Sequence, residues 1–192
     1  MRTAVIKRTT KESDIDCRLD LDGTRIIDIE TGIGFFDHML TLLAFHAQMD
    51  LTLQATGDLD VCDHHCVEDC GIVLGNAIKE ALGDKMGIER YGSVNLPMDE
   101  TLANVTLDIS GRSYLVFNAT FKRESIGNFS CEMVEEFFRA LANQAGITLH
   151  VNVYYGCNDH HQIEAIFKAF GRALRQAIQV SGTQLPSSKG ML

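Results

Sequence analysis

Hydrophobic and polar residues alternate over Thr3–Thr9, Ile15–Asp22 and Arg25–Ile29. A period of two sends successive side chains to opposite faces, so each segment predicts a half-buried strand. The period then changes: over Phe35–Ala47 the apolar residues recur at helical spacing, which predicts an amphipathic helix. Asp50–Ala55 returns to alternation, and a second helix opens at His64-His65 and runs to about Leu82. The same order follows again. Val94–Met98, Leu102–Ser110 and Ser113–Thr120 alternate, Glu132–Gln144 has helical spacing, Thr148–Tyr155 alternates, and a last helix runs from His160-His161 to about Val180. Asp22-Gly23 and Ser110-Gly111 lie between the second and third strands of each set and predict antiparallel hairpins.

Particular residues recur with the pattern. Shifted by 96, Asp63, His64, His65 and Glu68 fall on Asp159, His160, His161 and Glu164. Gly75 and Ala77 fall on Gly171 and Ala173, and Thr52-Leu53 on Thr148-Leu149. Further upstream the shift is 88, matching "RLDLDGT" (Arg18–Thr24) with "TLDISGR" (Thr106–Arg112). Such self-similarity marks a duplicated supersecondary unit. The expected fold is α+β: a βββαβα unit written twice, its antiparallel four-stranded sheets carrying helices on one face. The expected divisions are residues 1–92, including a linker at Gly83–Gly92, then 93–180, then a polar tail at 181–192 that carries Pro186.

Composition narrows the function. Hydrophobic residues make up 45% of the 192, enough for a sizeable core, and 22% are charged, an ordinary share. A formal net charge of −9 argues against nucleic acid as a partner. No apolar run reaches membrane-spanning length, and the polar, alternating "MRTAVIKRTTKESD" is unlike a signal peptide, so a cytoplasmic location is expected. Cys62, Cys66 and Cys70 are spaced i, i+4, i+8, but lack the Cys-x-x-Cys spacing of common zinc modules. They read as reduced, small buried residues on one side of a helix.

The His-His pairs carry the candidate chemistry. His46 and His150 stand alone and read as packed or surface side chains. In each pair the first His is i, i+4 and the second i, i+3 from a glutamate, so imidazole and carboxylate share a helix face. That donor mixture suits a divalent transition metal. Adjacent histidines on regular backbone point different ways, so each pair splits between two ions or two subunits. The repeat aligns His38 of the first helix with Glu136, with Glu135 beside it as the alternative. The candidate ligand set is His38, His64, His65, Glu68, Glu136, His160, His161 and Glu164.

This doubled motif, together with "DHML", "NLPMDE", "SGRSYLVFNA", "FKAFGRALRQA" and "PSSKG", resembles the imidazoleglycerol-phosphate dehydratase family of histidine biosynthesis, nearly end to end. The resemblance implies a hydro-lyase that removes water from imidazole-glycerol phosphate to give the acetol phosphate. It implies two divalent ions per active site, most often Mn²⁺, with ligands from different subunits, and trimers assembled into an octahedral 24-mer. It names Glu12 as leading proton-transfer residue and Asp99 as a second acid. For the phosphate it implies Arg90, Arg112, Lys168, Ser188 and Lys189, while Arg172 and Arg175 read as surface or interface charges. The sequence departs from the family at Cys66, Leu42 and Glu136, where threonine, glutamine and histidine are usual. Two rivals from other classes are a two-metal phosphate-ester hydrolase and a metal-storage shell; the basic set argues against the shell.

Overall fold

The structure, a computed structural model, describes residues 1–192. The first unit comprises β1 (Thr3–Thr9), β2 (Ser13–Asp20), β3 (Ile27–Glu30), α1 (Gly34–Ala47), β4 (Asp50–Gly57) and α2 (His64–Leu82). The second comprises β5 (Tyr91–Met98), β6 (Thr101–Asp108), β7 (Tyr114–Asn118), a short hairpin of β8 (Ser125–Ile126) and β9 (Phe129–Ser130), α3 (Met133–Ala145), β10 (Thr148–Tyr155) and α4 (Asp159–Ile178). The duplicated βββαβα order is therefore present, with the hairpin added and β5 beginning inside the expected linker. Residues 179–192 contain no helix, and the last helix stops at Ile178 rather than Val180. No helix is long and apolar enough to cross a membrane.

The sheets correct one expectation. They are mixed rather than antiparallel, with strand orders β1-β2-β4-β3 and β5-β6-β10-β7. β3 runs parallel to β4, and β7 parallel to β10. The fourth strand of each unit enters between the second and third, so Asp22-Gly23 and Ser110-Gly111 are not hairpin turns. At the first of these, Asp50 Oδ1 accepts the N–H groups of Thr24 (2.6 Å) and Ile26 (2.8 Å), winding the segment around the start of β4. A parallel pair needs a long crossover, and α1 and α3 supply it. A period of two fixes which face a residue takes; it does not name the neighbouring strand.

The register corrects a second alignment. Asp20 pairs with Asp50, and Asp108 with Thr148. Asp20 and Asp108 differ by 88, so Asp50 and Thr148, which differ by 98, are equivalent. The buried Leu51 and Leu53 therefore match Leu149 and Val151 rather than falling on the 96 shift. The helices α2 and α4 do match at 96, because the first unit has three more residues between strand and helix and β10 has one extra at its bulge.

The helices lie between the two sheets, each against its own sheet and one helix of the other unit: α2 with α3, and α1 with α4. One cluster of 51 buried residues draws on both units, so neither unit has a core of its own. Matched glycines permit the crossings. A Cβ on Gly75 would lie 2.6 Å from the Leu141 carbonyl oxygen, and one on Gly171 2.4 Å from that of Leu43. Both obstacles are backbone, which cannot swing aside. Gly171→Ala should therefore push α1 and α4 apart and cost about 1–3 kcal/mol by overpacking. Gly34→Ala, with nothing within 4 Å of its Cβ, is the control. Thermal unfolding followed by circular dichroism should show a lower Tm for Gly171→Ala alone; equal melting points would contradict this account of the crossing.

Candidate metal centre

The exchanged helix pairing brings α1 of the first unit to α4 of the second. Donor atoms of His38, His160 and Glu164 lie within 4.8 Å of one another. His160 Nε2 is 3.1 Å and His38 Nε2 3.7 Å from Glu164 Oε2. Asn158 sets the start of α4, its side-chain oxygen accepting the N–H groups of His160 (3.0 Å) and His161 (3.4 Å). Asp159 instead reaches out to the N–H groups of Lys122 and Arg123. Two neutral imidazoles and a carboxylate are a fitting donor set for a divalent ion of intermediate softness. Burial would raise the Glu164 pKa, but Lys168 and His160 outweigh it and hold the carboxyl below its ordinary value. Lys168 Nζ is 2.5 Å from Glu164 Oε1.

The related trio on α2 and α3 is looser. His64 Nε2 is 3.6 Å from Glu68 Oε2, and His64 shares with Glu135 and Glu136 a cleft of about 470 Å³ between Phe117 and Met133. Asp63 ties the two helix starts together by accepting from the backbone N–H and hydroxyl of Ser130. Arg139 pairs with both Glu135 (2.5 Å) and Glu136 (3.4 Å).

The second histidine of each pair turns away from the first. The rings of His64 and His65 stand at 80°, those of His160 and His161 at 84°. His65 Nδ1–H donates to Asp58 Oδ2 at 3.0 Å, and His161 Nδ1–H to Glu100 Oε2 at 2.8 Å. A carboxylate can only accept, which fixes the proton on Nδ1 and leaves Nε2 open. These bonds raise the pKa of both histidines, and the His161 bond drives that of Glu100 far down. The 88 shift, which sets Glu100 opposite Glu12, could have exposed Glu100 in the sequence; the counterpart of Asp58 is Cys157, which is not acidic and could not expose it.

The remaining candidates divide. Glu12 lies in the exposed β1–β2 turn, its carbonyl accepting from the Asp58 N–H. Asp99, at positive φ in the β5–β6 turn, has Oδ2 3.8 Å from His161 Nε2. Arg90 donates to both carboxylate oxygens of Asp108 (2.7 and 3.1 Å) and to the Pro186 carbonyl (2.9 Å). Arg112 follows Gly111, which lies beside the chain end at Leu192. Ser188 and Lys189 lie in the same tail, beyond its ties to the linker at Gln184 and Pro186. Arg90 meets α4 at the carbonyl of Ala177. Lys168 is nine residues earlier on that helix, about 13 Å along its axis. One chain therefore does not gather the five phosphate candidates. The cysteines are all free, and Cys66 and Cys70 are buried on α2 as expected, whereas Cys62 precedes the helix and is exposed, against the expectation that all three are buried on one side of it.

A family model described as "Imidazoleglycerol-phosphate dehydratase" matches residues 31–174. A protein of that name from an Exiguobacterium species is 57% identical over 193 residues, covering 100% of this chain and 99% of the relative. Another, from Clostridium botulinum, is 56% identical, with 100% and 98% covered. Among solved structures, the dehydratase of Staphylococcus aureus superposes with TM-score 0.85 at 46% identity, covering 93% of this chain and 99% of that one. The Pyrococcus furiosus enzyme in complex with (S)-C348 gives 0.85 at 37% identity, with 97% and 100% covered. A fold, a donor cluster and full-length likeness agree: the chain belongs to the imidazoleglycerol-phosphate dehydratase family.

Proposed function

We infer that this chain is a hydro-lyase that converts imidazoleglycerol phosphate to imidazole-acetol phosphate in the cytoplasm, as a step of histidine biosynthesis. The observation that carries the reading is the convergence of His38, His160 and Glu164 in a chain whose full-length relatives bear this name. The duplicated units, 1–92 and 93–180, act as one body around a shared core, and the tail 181–192 serves the substrate.

Two divalent ions per site, most often Mn²⁺, would be held by His38, His64, His65, Glu68, Glu136, His160, His161 and Glu164. When bound they supply Lewis-acid stabilisation of negative charge on the substrate's ring. The rest falls to side chains. The difficulty is that a poorly acidic C–H proton must leave along with hydroxide. The electron-rich ring drives the break of the C–O bond on the carbon beside it, and the hydroxide collects a proton and departs as water. Glu12 then takes the proton, now more acidic, from the carbon beyond, and the resulting enol tautomerises to the ketone. Asp99 is the second candidate for moving a proton. Arg90, Arg112, Lys168, Ser188 and Lys189 hold the phosphate, arginine as a fork and lysine as a point charge.

The divergent rings within each pair, and the axial separation of Lys168 from Arg90, support sites built from more than one chain. Trimers packed into a 24-mer would meet that need. Incubating the Mn²⁺-loaded protein with imidazoleglycerol phosphate tests the activity. Ketone should accumulate without inorganic phosphate. Phosphate release would favour the hydrolase rival, and neither product the storage shell.

A further inference from the structure

Two carboxylates outside the ligand set hold the second histidine of each pair, and they come from unrelated positions. In the second unit the holder is Glu100, in the β5–β6 turn. Its Oε2 takes the His161 Nδ1–H at 2.8 Å, while Oε1 accepts the N–H groups of Asn158 (2.9 Å) and Cys157 (3.2 Å). Glu100 is thus locked to the segment that opens α4. Its counterpart in the first unit is Glu12. The register proves the equivalence: Thr9 pairs with Asp14 and Pro97 with Leu102, both members shifted by 88.

Yet Glu12 makes no such bond. His65 is held by Asp58, whose two oxygens stand 3.0 and 3.2 Å from Nδ1. Asp58 lies between β4 and α2, in the stretch where the first unit is three residues longer than the second. Past the bulge in β10 the register sets Cys157 of the second unit opposite Asp58, and a cysteine brings no carboxylate to that place.

We propose that the duplication has divided one carboxylate's work: Glu100 and Asp58 are positioning residues that fix the Nδ1–H form of His161 and His65, and Asp58, by replacing Glu12 in that role, frees Glu12 for proton transfer. The proposal rests on the functional reading above and explains why the proton-moving residue is Glu12 rather than its twin. A carboxylate on Nδ1 orients the ring and leaves Nε2 as the donor to a metal. The Glu12 side chain, exposed at a turn whose backbone is pinned by the Asp58 N–H to its carbonyl, is left with a free carboxylate beside that histidine.

The test uses the full chain and its Asp58→Asn, Glu100→Gln and Glu12→Gln variants, with Mn²⁺ affinity measured by competition with a chelating dye. Asp58→Asn and Glu100→Gln should each weaken Mn²⁺ binding about 10- to 100-fold, as loss of such outer partners does. Their kcat at saturating Mn²⁺ should stay within a few-fold. Glu12→Gln should bind Mn²⁺ as the unaltered chain does and lose kcat. Unchanged Mn²⁺ affinity in Asp58→Asn and Glu100→Gln would overturn the proposal, as would equal weakening by Glu12→Gln. Nitrogen NMR of histidine in the metal-free unaltered chain, at alkaline pH, needs no variant to fold. Protons on Nδ1 of His65 and His161 are expected, and protons on Nε2 of both would overturn it. If the variants shift Mn²⁺ affinity but the unaltered chain makes no ketone, the positioning roles stand and the functional reading falls.

Discussion

Chelating the divalent metal should abolish turnover and, in the same titration, break the assembly into smaller species; added Mn²⁺ should restore both. One chain brings together three donors, His38, His160 and Glu164, and turns the rings of His65 and His161 elsewhere. Ions completed by a neighbouring chain bind only the assembled state and stabilise it by mass action, by about 2.7 kcal/mol per site at a free concentration of 100 Kd. Acid should act like the chelator. Asp58 and Glu100 raise the pKa of His65 and His161 in the metal-free chain. A raised folded pKa stabilises the metal-free fold below the unfolded value, about 6.5, and that contribution is lost as pH rises through the folded pKa. Metal binding has the opposite sign, since it needs the unprotonated imidazole. Activity and assembly should therefore fail together as pH falls through the raised pKa, starting above about 6.5, and excess Mn²⁺ should move the transition to lower pH. Sedimentation velocity reads the assembly. A profile unchanged after complete demetallation would remove the case for shared sites.

Much of this architecture was legible because duplication doubles each signal. The recurrence of Asp-His-His-x-x-Glu marked both second helices, and the alignment of His38 with Glu136 added one candidate ligand on the first helix of each unit; that α1 packs on α4 and α3 on α2 was not legible. The order of strands was not legible. Alternation places Leu51 and Leu53 in the core, but only the crossover through α1 shows that β4 enters between β2 and β3. The tempting match of Thr52-Leu53 with Thr148-Leu149 hid the three extra residues ahead of α2. The phosphate candidates illustrate another limit. Arg90, already bonded to Asp108 and the Pro186 carbonyl, belongs to the structure that seats the tail as much as to a substrate. No spacing rule could reveal that.

Glu12→Gln should lower kcat by about 10²–10⁴-fold, the usual worth of a positioned acid–base group, with metal content, assembly and substrate affinity nearly intact. The side chain is exposed in a turn, so the amide can replace the carboxylate without disturbing the core. Its Thr10 and Asp58 contacts are made by backbone atoms and survive the change. Lys189→Ala should behave differently. A cation that holds phosphate equally in the ground and transition states changes KM before kcat. The tail is tied to the linker through Gln184 and Pro186, and Lys189 lies beyond those ties. Part of its binding energy can then go into closing the tail over the substrate, which allows a modest loss of kcat as well. Inorganic phosphate should compete less well against Lys189→Ala than against the unaltered enzyme, and equally well against Glu12→Gln. Steady-state kinetics with phosphate as inhibitor separates the two roles. Near-normal kcat in Glu12→Gln would move the proton-transfer role to Asp99, whose Oδ2 stands 3.8 Å from His161 Nε2, or to hydroxide on a bound metal.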